Sequence, residues 1–402
     1  MSSNEVYSVV ANAINHPDAV HPYQALFNRR SLQSLSQVGT DLDVVSPRPH
    51  APSWGPYSEY ASIPETESWG TYTVHHPRFW YLIPKRFFYA ASGNSYAKRV
   101  PKYVKRHFEM PDVVHACHIY PDGYGMLPYV REYDIPLFVV SHRAHIDFLN
   151  EQPPGVRSKI LETLEEATGV LCVSDKLAKK ARQLTDPGKV DTVPIGAEPD
   201  EFPVDQSQRL RKELDIGPEE TVVLFVGAFI ERKGIGDICE MLPELDLDDT
   251  VFVFIGYDDE MEDELRAAVA ESGFSNRYIY VGVTSLALRR WYAVADLLLL
   301  PSYSEGRPTV IYEAMASETA VLSTDVDGIP EQVVDGETGV LIRPGDVDAM
   351  KSNIKSLSCD RDRLRRMGEA GLRRLNEKNW TWTDHANKVQ RLHRAAIERN
   401  DE

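Results

Sequence analysis

TVVLFVGAFIERKGIGDICEML, residues 221–242, brings a buried strand, a short loop and a helix into direct succession. Thr221–Phe229 is a nearly unbroken apolar run with the length of a strand that is covered on both faces. Gly234–Leu242 is predicted to be the helix that follows. Because strand–loop–helix units build parallel sheets, this stretch predicts an α/β domain of the Rossmann type.

The same unit recurs along the chain. In the second half we predict strands at 250–256, 278–281, 297–301, 320–324 and 339–342, with helices between them. The first half repeats the texture less cleanly, with strands at 41–46, 113–116, 136–141, 169–174 and 190–194. We therefore predict two doubly wound Rossmann-like α/β domains facing a cleft, where ligands of such folds bind.

The polar, proline-containing stretch 198–207 is the predicted linker between the domains. The predicted boundaries are 1–203 for the N-terminal domain and 204–378 for the C-terminal domain. Residues 379–402 are predicted to form a helix that crosses back to the first domain, with Trp380 and Trp382 as anchors. A plain surface helix is the alternative.

Composition excludes several classes of protein. The chain has 402 residues, and its 61 acidic and 44 basic side chains give a net charge of -17, which argues against a nucleic-acid binder. Its 4 cysteines form no CxxC pair, so neither a disulfide framework nor a zinc cluster is expected. With no signal peptide and no apolar run of spanning length, we expect a cytoplasmic protein, with peripheral membrane contact left open.

The segment PSYSEGRPTVIYEAMA, residues 301–316, is the most informative for chemistry. Glu305 lies in a loop after a predicted strand, and Glu313 lies one turn inside the helix that the loop opens. Pro308 pre-sets the first helical turn, and the amides of residues 306–309 form an end that attracts anions. A carboxylate here can bind a ribose diol, although on these residues alone a capping role is the commoner one.

Together with AVLSTDVDGIPEQVVDGETGVLIRPGD, residues 320–346, this segment resembles the retaining nucleotide-sugar glycosyltransferases of family 4, which have the two-Rossmann GT-B fold. The resemblance implies that Glu313 binds the donor ribose and that Glu305 lies by the donor sugar. It also implies a donor-binding loop of Gly306, Arg307, Pro308 and Thr309. The family's Gly-Gly-Ile-Pro-Glu turn appears with Asp327 at its first position.

A second motif, GAFIERKG at residues 227–234, departs from the family pattern. The family usually has Gly-Arg and then Lys-Gly, and the two cations hold the donor diphosphate. Gly227 and Lys233 carry over, but Ala228 stands at the arginine position, and Arg232 is the obvious substitute. Two cations stabilise a diphosphate as negative charge develops on it. The alternative is a solvated turn before a helix.

In the first half, VVHACHIYPDGYG and IPLFVVSHRAHIDF, residues 113–125 and 135–148, again resemble the family. His142 matches the histidine that contacts donor sugar or phosphate there. Its neighbours His115, Cys117, His118 and His145 suggest a metal site, but such clusters on strand ends are more often loop chemistry, and we predict no metal.

The loop at residues 16–30 lacks the glycine pair that many relatives carry. Gly123 and Gly125, with His118, are therefore the predicted acceptor-side residues.

The resemblance implies a metal-independent, retaining glycosyltransferase that needs no cofactor. It would move a sugar from a nucleotide sugar to a glycan or lipid-linked acceptor, with Glu305, Lys233 and His142 as catalytic residues. A nucleotide-sugar epimerase of the same architecture and a non-enzymatic nucleotide-sugar or glycan-binding protein are the alternatives.

Residues 69–108 are rich in aromatic and basic side chains, and no acidic residue lies between Glu67 and Glu109. Lys102, Lys105 and Arg106 fall on one helical face. Cations and aromatic rings suit the boundary of an anionic membrane, so we predict peripheral docking there, at the inner face of the cell membrane. The alternative, aromatic rings packed in the core under a solvated basic helix, is equally consistent with the pattern.

Overall fold

The computed structural model describes residues 6–22, 24–50, 54, 58–80, 85–247, 249–256, 260–272, 277–281 and 285–400. The chain divides into two compact units. The first unit comprises residues 1–195 and 382–402, and the second comprises residues 196–381.

The first unit is built on a parallel sheet that ends in one antiparallel strand. Its strands are β1 Ser8–Asn12, β2 Asp41–Val45, β3 Arg48–Pro49, β4 Thr66–Trp69, β5 Tyr72–His75, β6 Arg78–Phe79, β7 Val113–Ala116, β8 Leu137–Ser141, β9 Gly169–Cys172 and β10 Val190–Thr192. The large sheet has the order β10-β9-β8-β7-β1-β2-β5-β4, in which only β4 is antiparallel to its neighbour. A separate two-stranded sheet pairs β3 with β6.

Helices flank this sheet in the chain order expected of a doubly wound fold. They are α1 Leu26–Gln37, α2 Glu59–Ser62, α3 Lys85–His107, α4 Tyr124–Tyr133, α5 Ala144–Asp147, α6 Pro154–Glu166, α7 Asp175–Ala181 and, from the end of the chain, α16 Trp382–Asn400. The hydroxyl of Ser174 caps α7 by accepting the N–H of Leu177 at 3.2 Å. Helix α16 buries Ala386, Val389 and Ile397 within the first unit.

The second unit has a fully parallel sheet. Its strands are β11 Thr221–Val226, β12 Thr250–Gly256, β13 Arg277–Val281, β14 Leu297–Leu300, β15 Ala320–Thr324 and β16 Gly339–Ile342. Its helices are α8 Ser207–Glu213, α9 Ile235–Met241, α10 Glu262–Glu271, α11 Ser285–Val294, α12 Thr309–Ala316, α13 Ile329–Gln332, α14 Val347–Ser358 and α15 Arg361–Glu377. Strands β11, β12 and β14 are buried along their whole length, as their unbroken apolar runs predict.

The strand order locates the ligand-binding edge of each sheet. In the second unit the order is β13-β12-β11-β14-β15-β16, so the chain reverses direction across the sheet between β11 and β14. In the first unit the reversal lies between β1 and β7. Because ligands of doubly wound sheets bind outside the carboxyl ends of the strands at this point, the loops after these four strands are the candidate site loops. The predicted α/β fold with two Rossmann-like sheets is confirmed.

Among the described residues, no helix has both the length and the apolarity needed to cross a bilayer.

Candidate functional site

Two loops meet at the reversal point of the second sheet. One, residues 227–234, follows β11, and the other, the donor loop of residues 301–308, follows β14. Gly234 ends the first loop with a φ of 76°, and a Cβ there would lie 2.2 Å from the carbonyl oxygen of Pro301. Only glycine allows both this backbone conformation and this approach, which brings the two loops into contact.

The contact joins two of the predicted catalytic residues. The ammonium group of Lys233 donates a hydrogen bond to Oε1 of Glu305, which also accepts the hydroxyl of Ser302 at 2.9 Å. Glu305 is only 7% exposed, so its carboxylate depends on these donors to offset its desolvation.

Arg232 lies on the same side of the loop contact. Its Nη1 donates to the carbonyl oxygen of Ser304 at 2.9 Å and lies 3.9 Å from Oε2 of Glu305. Its guanidinium is half-exposed, in contrast to the mostly buried ammonium group of Lys233. Lys233 and Arg232 supply two cationic groups at this edge, and such groups can bind an anionic ligand.

Asp327, the departure from the family turn, has a structural role. Its φ of 48° lies in the left-handed region, which aspartate tolerates better than most residues. Its Oδ2 accepts the hydroxyl of Ser304 at 2.9 Å and the backbone N–H of Glu305 at 3.2 Å. Gly328 follows so close that a Cβ would lie 1.9 Å from the carbonyl oxygen of Gly306. The turn at residues 327–328 therefore packs directly against the donor loop.

Helix α12 begins beside this loop. Pro308, at the N-cap position, has extended backbone, and its carbonyl oxygen accepts the side-chain amide of Gln332 at 3.1 Å. Glu313 lies half-buried in the second turn, with Gly306 and Thr309 half-buried at the helix start. Burial, and after it the carboxylate of Glu313, raise the pKa of Tyr292 well above its usual value. The Tyr292 hydroxyl therefore stays protonated, and it donates to the carbonyl oxygen of Val310 at 3.4 Å.

Arg307 points away from water, since its side chain is buried. Its guanidinium carbon lies 4.5 Å from the ring centroid of Trp380, and its Nη1 lies 3.8 Å from Oε2 of Glu331. Of the predicted donor residues, Glu305, Lys233 and Arg232 contact one another, whereas Arg307 is held against an aromatic ring.

In the first unit, His142 follows β8. Its ring is half-buried and lies 4.4 Å from the ring of Phe27 and 5.3 Å from that of His118. Burial lowers the pKa of His142 well below its usual value, and nearby His118 lowers it further, so the ring is neutral. Its Nε2 has no hydrogen-bond partner among the described residues.

The acceptor-side residues surround a buried aspartate. Nδ1 of His118 lies 2.9 Å from Oδ2 of Asp122, whose Oδ1 accepts the hydroxyl of Tyr96 at 3.0 Å and the N–H of Ile14 at 2.9 Å. A Cβ on Gly125 would lie 2.2 Å from the Tyr96 ring, and one on Gly123 would lie 2.7 Å from Thr163. Close packing thus already requires both glycines, and their predicted role towards an acceptor stays a prediction.

The glycine-free loop after β1 is organised by a buried ion pair that the sequence did not reveal. Oδ2 of Asp18 accepts Nε of Arg48 at 2.8 Å, while its Oδ1 accepts the N–H of His21 at 2.7 Å. Arg48 also donates to the carbonyl oxygens of Ile14 and His16, at 2.8 and 2.7 Å. Hydrogen bonds therefore shape this loop without glycine.

Within the part of the chain that the structure describes, no group of three or more His, Cys, Asp or Glu side chains could hold a metal ion.

Comparisons with known proteins identify two family models. The model "Glycosyl transferases group 1" matches residues 206–374, and "Glycosyltransferase Family 4" matches residues 27–201. A putative teichuronic acid biosynthesis glycosyltransferase, TuaC of Bacillus subtilis, is 27% identical over 84% of this chain and 86% of its own length. D-inositol 3-phosphate glycosyltransferase of Nocardia farcinica is 34% identical, but the match covers 51% of this chain and 49% of that relative.

Solved structures agree on the fold. Sucrose-phosphate synthase from Thermosynechococcus elongatus has a TM-score of 0.78 at 19% identity, covering 97% of this chain and 99% of the other. Anabaena HepE in complex with UDP-glucose has a TM-score of 0.69 at 15% identity, covering 96% and 98%. The predicted GT-B fold is therefore confirmed.

Proposed function

The chain belongs to the group 1 glycosyltransferases of the family 4 type, and we propose that it transfers a sugar from a nucleoside diphosphate sugar to an acceptor hydroxyl with retention of anomeric configuration. Its being a glycosyltransferase follows from the family. The retaining course, the independence of metal and the donor class are parts of the proposal.

The contact between Lys233 and Glu305 at the reversal point carries the proposal. It holds a cation and a carboxylate beside the start of α12, where a diphosphate would meet the N–H groups of the helix N-terminus. Glu313, one turn inside the same helix, would bind the ribose. Lys233 and Arg232 would neutralise the leaving diphosphate, while Glu305 would lie by the donor sugar. The complex of Anabaena HepE with UDP-glucose supports a nucleotide sugar as the donor class.

The reaction breaks the bond between the anomeric carbon and the diphosphate oxygen and forms one to the acceptor oxygen on the same face. The acceptor proton passes to the leaving phosphate, so no protein nucleophile is required. Cationic side chains and the α12 terminus would stabilise the developing charge in place of a metal. For His142, a neutral ring with a free Nε2 supports contact with donor sugar or phosphate.

The test is incubation with labelled UDP-, GDP- and ADP-sugars, with and without a metal chelator, followed by NMR of the first sugar product. Transfer or slow donor hydrolysis that retains the anomeric configuration and survives chelation supports the proposal. Inverted product contradicts retention, and loss of activity on chelation contradicts metal independence. Isomerised sugar identifies an epimerase, and tight binding without turnover identifies a binding protein.

We further propose that helix α3 docks on an anionic membrane surface that carries the acceptor. Its exposed cations are Lys98, Arg99, Lys102, Lys105 and Arg106. Trp80 is 56% exposed beside them, and the guanidinium of Arg99 lies 5.8 Å from its ring. Each cation near such a surface contributes about 1 kcal/mol.

The structure reduces the number of aromatic residues that can contact a membrane at this surface. Tyr72, Phe79 and Tyr96 are buried in the first unit, and Tyr81, Phe87 and Phe88 lie outside the described side chains. Lys105 also pairs with Glu132 at 2.7 Å, although both groups are exposed and such pairs are weak. The helix cations and Trp80 therefore carry the proposal.

Co-sedimentation with liposomes, with and without anionic lipid, tests this docking. Reversal of the five α3 charges to Glu should abolish binding to anionic vesicles at low salt. A matched control reverses five exposed cations of the second unit: Lys355, Arg365, Arg366, Arg373 and Lys378. Equal loss in both variants, or no binding by the unaltered protein, overturns membrane docking and favours a soluble acceptor.

A further inference from the structure

Trp380 lies in the short segment between α15 and α16 and is only 6% exposed. Two arginines and one tyrosine of the second unit contact its ring. The guanidinium carbons of Arg307 and Arg374 lie 4.5 and 5.3 Å from its centroid. Tyr312 of α12 meets it edge-on, with centroids 5.4 Å apart.

The indole packs against the buried guanidinium of Arg307. Nη1 of Arg307 also lies 3.8 Å from Oε2 of Glu331. A planar guanidinium over a tryptophan face gains both stacking and electrostatic attraction, more so when water is excluded. Arg307 is two residues after Glu305, so the position of its side chain constrains the donor loop.

The second arginine connects the same ring to the turn that carries Asp327. Arg374 donates through Nε to the carbonyl oxygen of Gln332 at 2.8 Å and through Nη2 to that of Glu331 at 2.9 Å. One indole therefore contacts side chains that fix the donor loop and the turn whose Asp327 accepts the Glu305 N–H.

The main chain of Trp380 is itself fixed. Its N–H donates to Leu375 at 3.0 Å, and its carbonyl oxygen accepts the N–H of Ala197 at 3.2 Å. A Cβ on Gly196 would lie 2.1 Å from that oxygen, so the position requires glycine. Residues 196 and 381 are the two ends of the second unit, so Trp380 lies within the segment where the chain leaves it.

We propose that Trp380 is a positioning residue for the donor loop, acting through Arg307. This inference rests on the proposed function for its catalytic consequence. The contact with Trp380 fixes the buried side chain of Arg307, and Arg307 in turn orients Glu305, two residues earlier in the donor loop. A purely structural tryptophan would stabilise the fold without any specific effect on residues 302–309.

Hydrogen exchange distinguishes these two roles. In the donor loop, the N–H of Tyr303 is bonded to the carbonyl of Arg232 at 2.9 Å, and that of Glu305 is bonded to Asp327. We expect Trp380→Leu to speed exchange of both amides by about 30-fold, the scale of a desolvated cation–π contact. Trp380→Phe, which keeps a weaker ring face, should give a smaller increase and guards against a variant that fails to fold.

Trp382→Leu is the matched control, because Trp382 is equally buried but packs in the first unit against His385. It should lower the melting temperature comparably and leave exchange of residues 302–309 unchanged. With an active donor, Trp380→Phe should lower kcat several-fold while the donor KM stays within about twofold, because Glu313 still binds the ribose.

Unchanged exchange of residues 302–309 in Trp380→Leu, or equal acceleration in Trp382→Leu, overturns the inference. This readout does not require turnover. If the unaltered protein transfers no sugar, the proposed function fails, while the exchange comparison still decides whether Trp380 positions the loop.

Discussion

The ammonium group of Lys233 donates a hydrogen bond to the carboxylate of Glu305, although 72 positions of sequence separate the two residues. Both side chains are mostly buried, so each is the main partner that offsets the desolvation of the other. A donor diphosphate that binds here meets a lysine already oriented by Glu305. Lys233 thus serves the structure of the site and, by our proposal, its chemistry.

Lys233→Met removes the cation and leaves Glu305 buried without its partner. We expect the rate of transfer to fall by about 100- to 1000-fold, as for the loss of one preorganised hydrogen-bond donor. The free energy of unfolding should fall by up to about 3 kcal/mol. The double variant Lys233→Met/Glu305→Gln should recover stability but not activity. Full activity of the single variant would show that the diphosphate does not bind at Lys233.

Arg232 is expected to replace the arginine missing at Ala228. Arg232→Ala should lower the transfer rate more than it weakens binding of the free nucleoside, because the charge acts on the leaving group. Adding Ala228→Arg to this variant restores the family's spacing and should recover part of the rate. Steady-state kinetics beside nucleoside calorimetry checks both points, and an unchanged rate in Arg232→Ala would leave Lys233 as the sole cation of the pair that acts.

Glu313 is expected to bind the donor ribose by a charged hydrogen bond. Glu313→Gln should raise the dissociation constant of the nucleoside diphosphate by about 10- to 150-fold, equivalent to about 1.5–3 kcal/mol. Tyr292→Phe, which removes only the hydroxyl beside Glu313, is the control and should change affinity less than tenfold. Tight calorimetric binding by Glu313→Gln, with an unaltered melting curve, would remove Glu313 from the site.

Much of the second unit could be predicted from sequence because its strands are apolar throughout. The unbroken apolar runs at β11, β12 and β14 are typical of buried strands and not of surface segments. The predicted strand positions therefore agree with the structure within a few residues. Strand β1, Ser8–Asn12, was not predicted. Strands β4 and β5 were missed because their aromatic residues resembled a surface segment.

The site was predictable as residue types but not as contacts. Lys233 and Glu305 were both assigned to the donor site, yet a bond between loops of different strands has no local signature. The pair Asp18 and Arg48 is hidden for the same reason. In the sequence, Asp327 is only a departure from the family's glycine turn. The sequence does not reveal that its carboxylate accepts the N–H of Glu305 and so holds the neighbouring loop.

Asp327 therefore gives a sharp test. Asp327→Asn keeps a residue that tolerates the left-handed region and one acceptor oxygen, so it should retain most activity. Asp327→Gly restores the family's turn but removes both bonds to the donor loop, and kcat should fall about tenfold. Equal activity of Asp327→Gly and the unaltered protein would mean that Asp327 only satisfies the backbone of the turn.

Helix α16 brings two buried imidazoles together in the first unit. Nε2 of His393 lies 3.2 Å from Nδ1 of His115, and Nδ1 of His393 lies 3.1 Å from the hydroxyl of Tyr7. Burial lowers the pKa of His115 from 6.5 to about 3 and lowers that of His393 well below its usual value. Burial raises the pKa of Tyr7 to about 12, so its hydroxyl stays protonated.

Acid should therefore destabilise the first unit. Between pH 6.5 and about 3 the unfolded chain binds more protons than the folded one at these histidines, so the free energy of unfolding falls as pH decreases. Each histidine contributes up to about 1.4 kcal/mol per pH unit, and the contribution is fully present only above pH 6.5.

Denaturant unfolding between pH 7.5 and 4 measures the slope of the free energy of unfolding against pH. His115→Leu/His393→Leu removes both titrating groups, so its slope should be shallower. An identical slope in the double variant would assign the acid sensitivity to other groups, His385 first, because burial lowers its pKa to about 4.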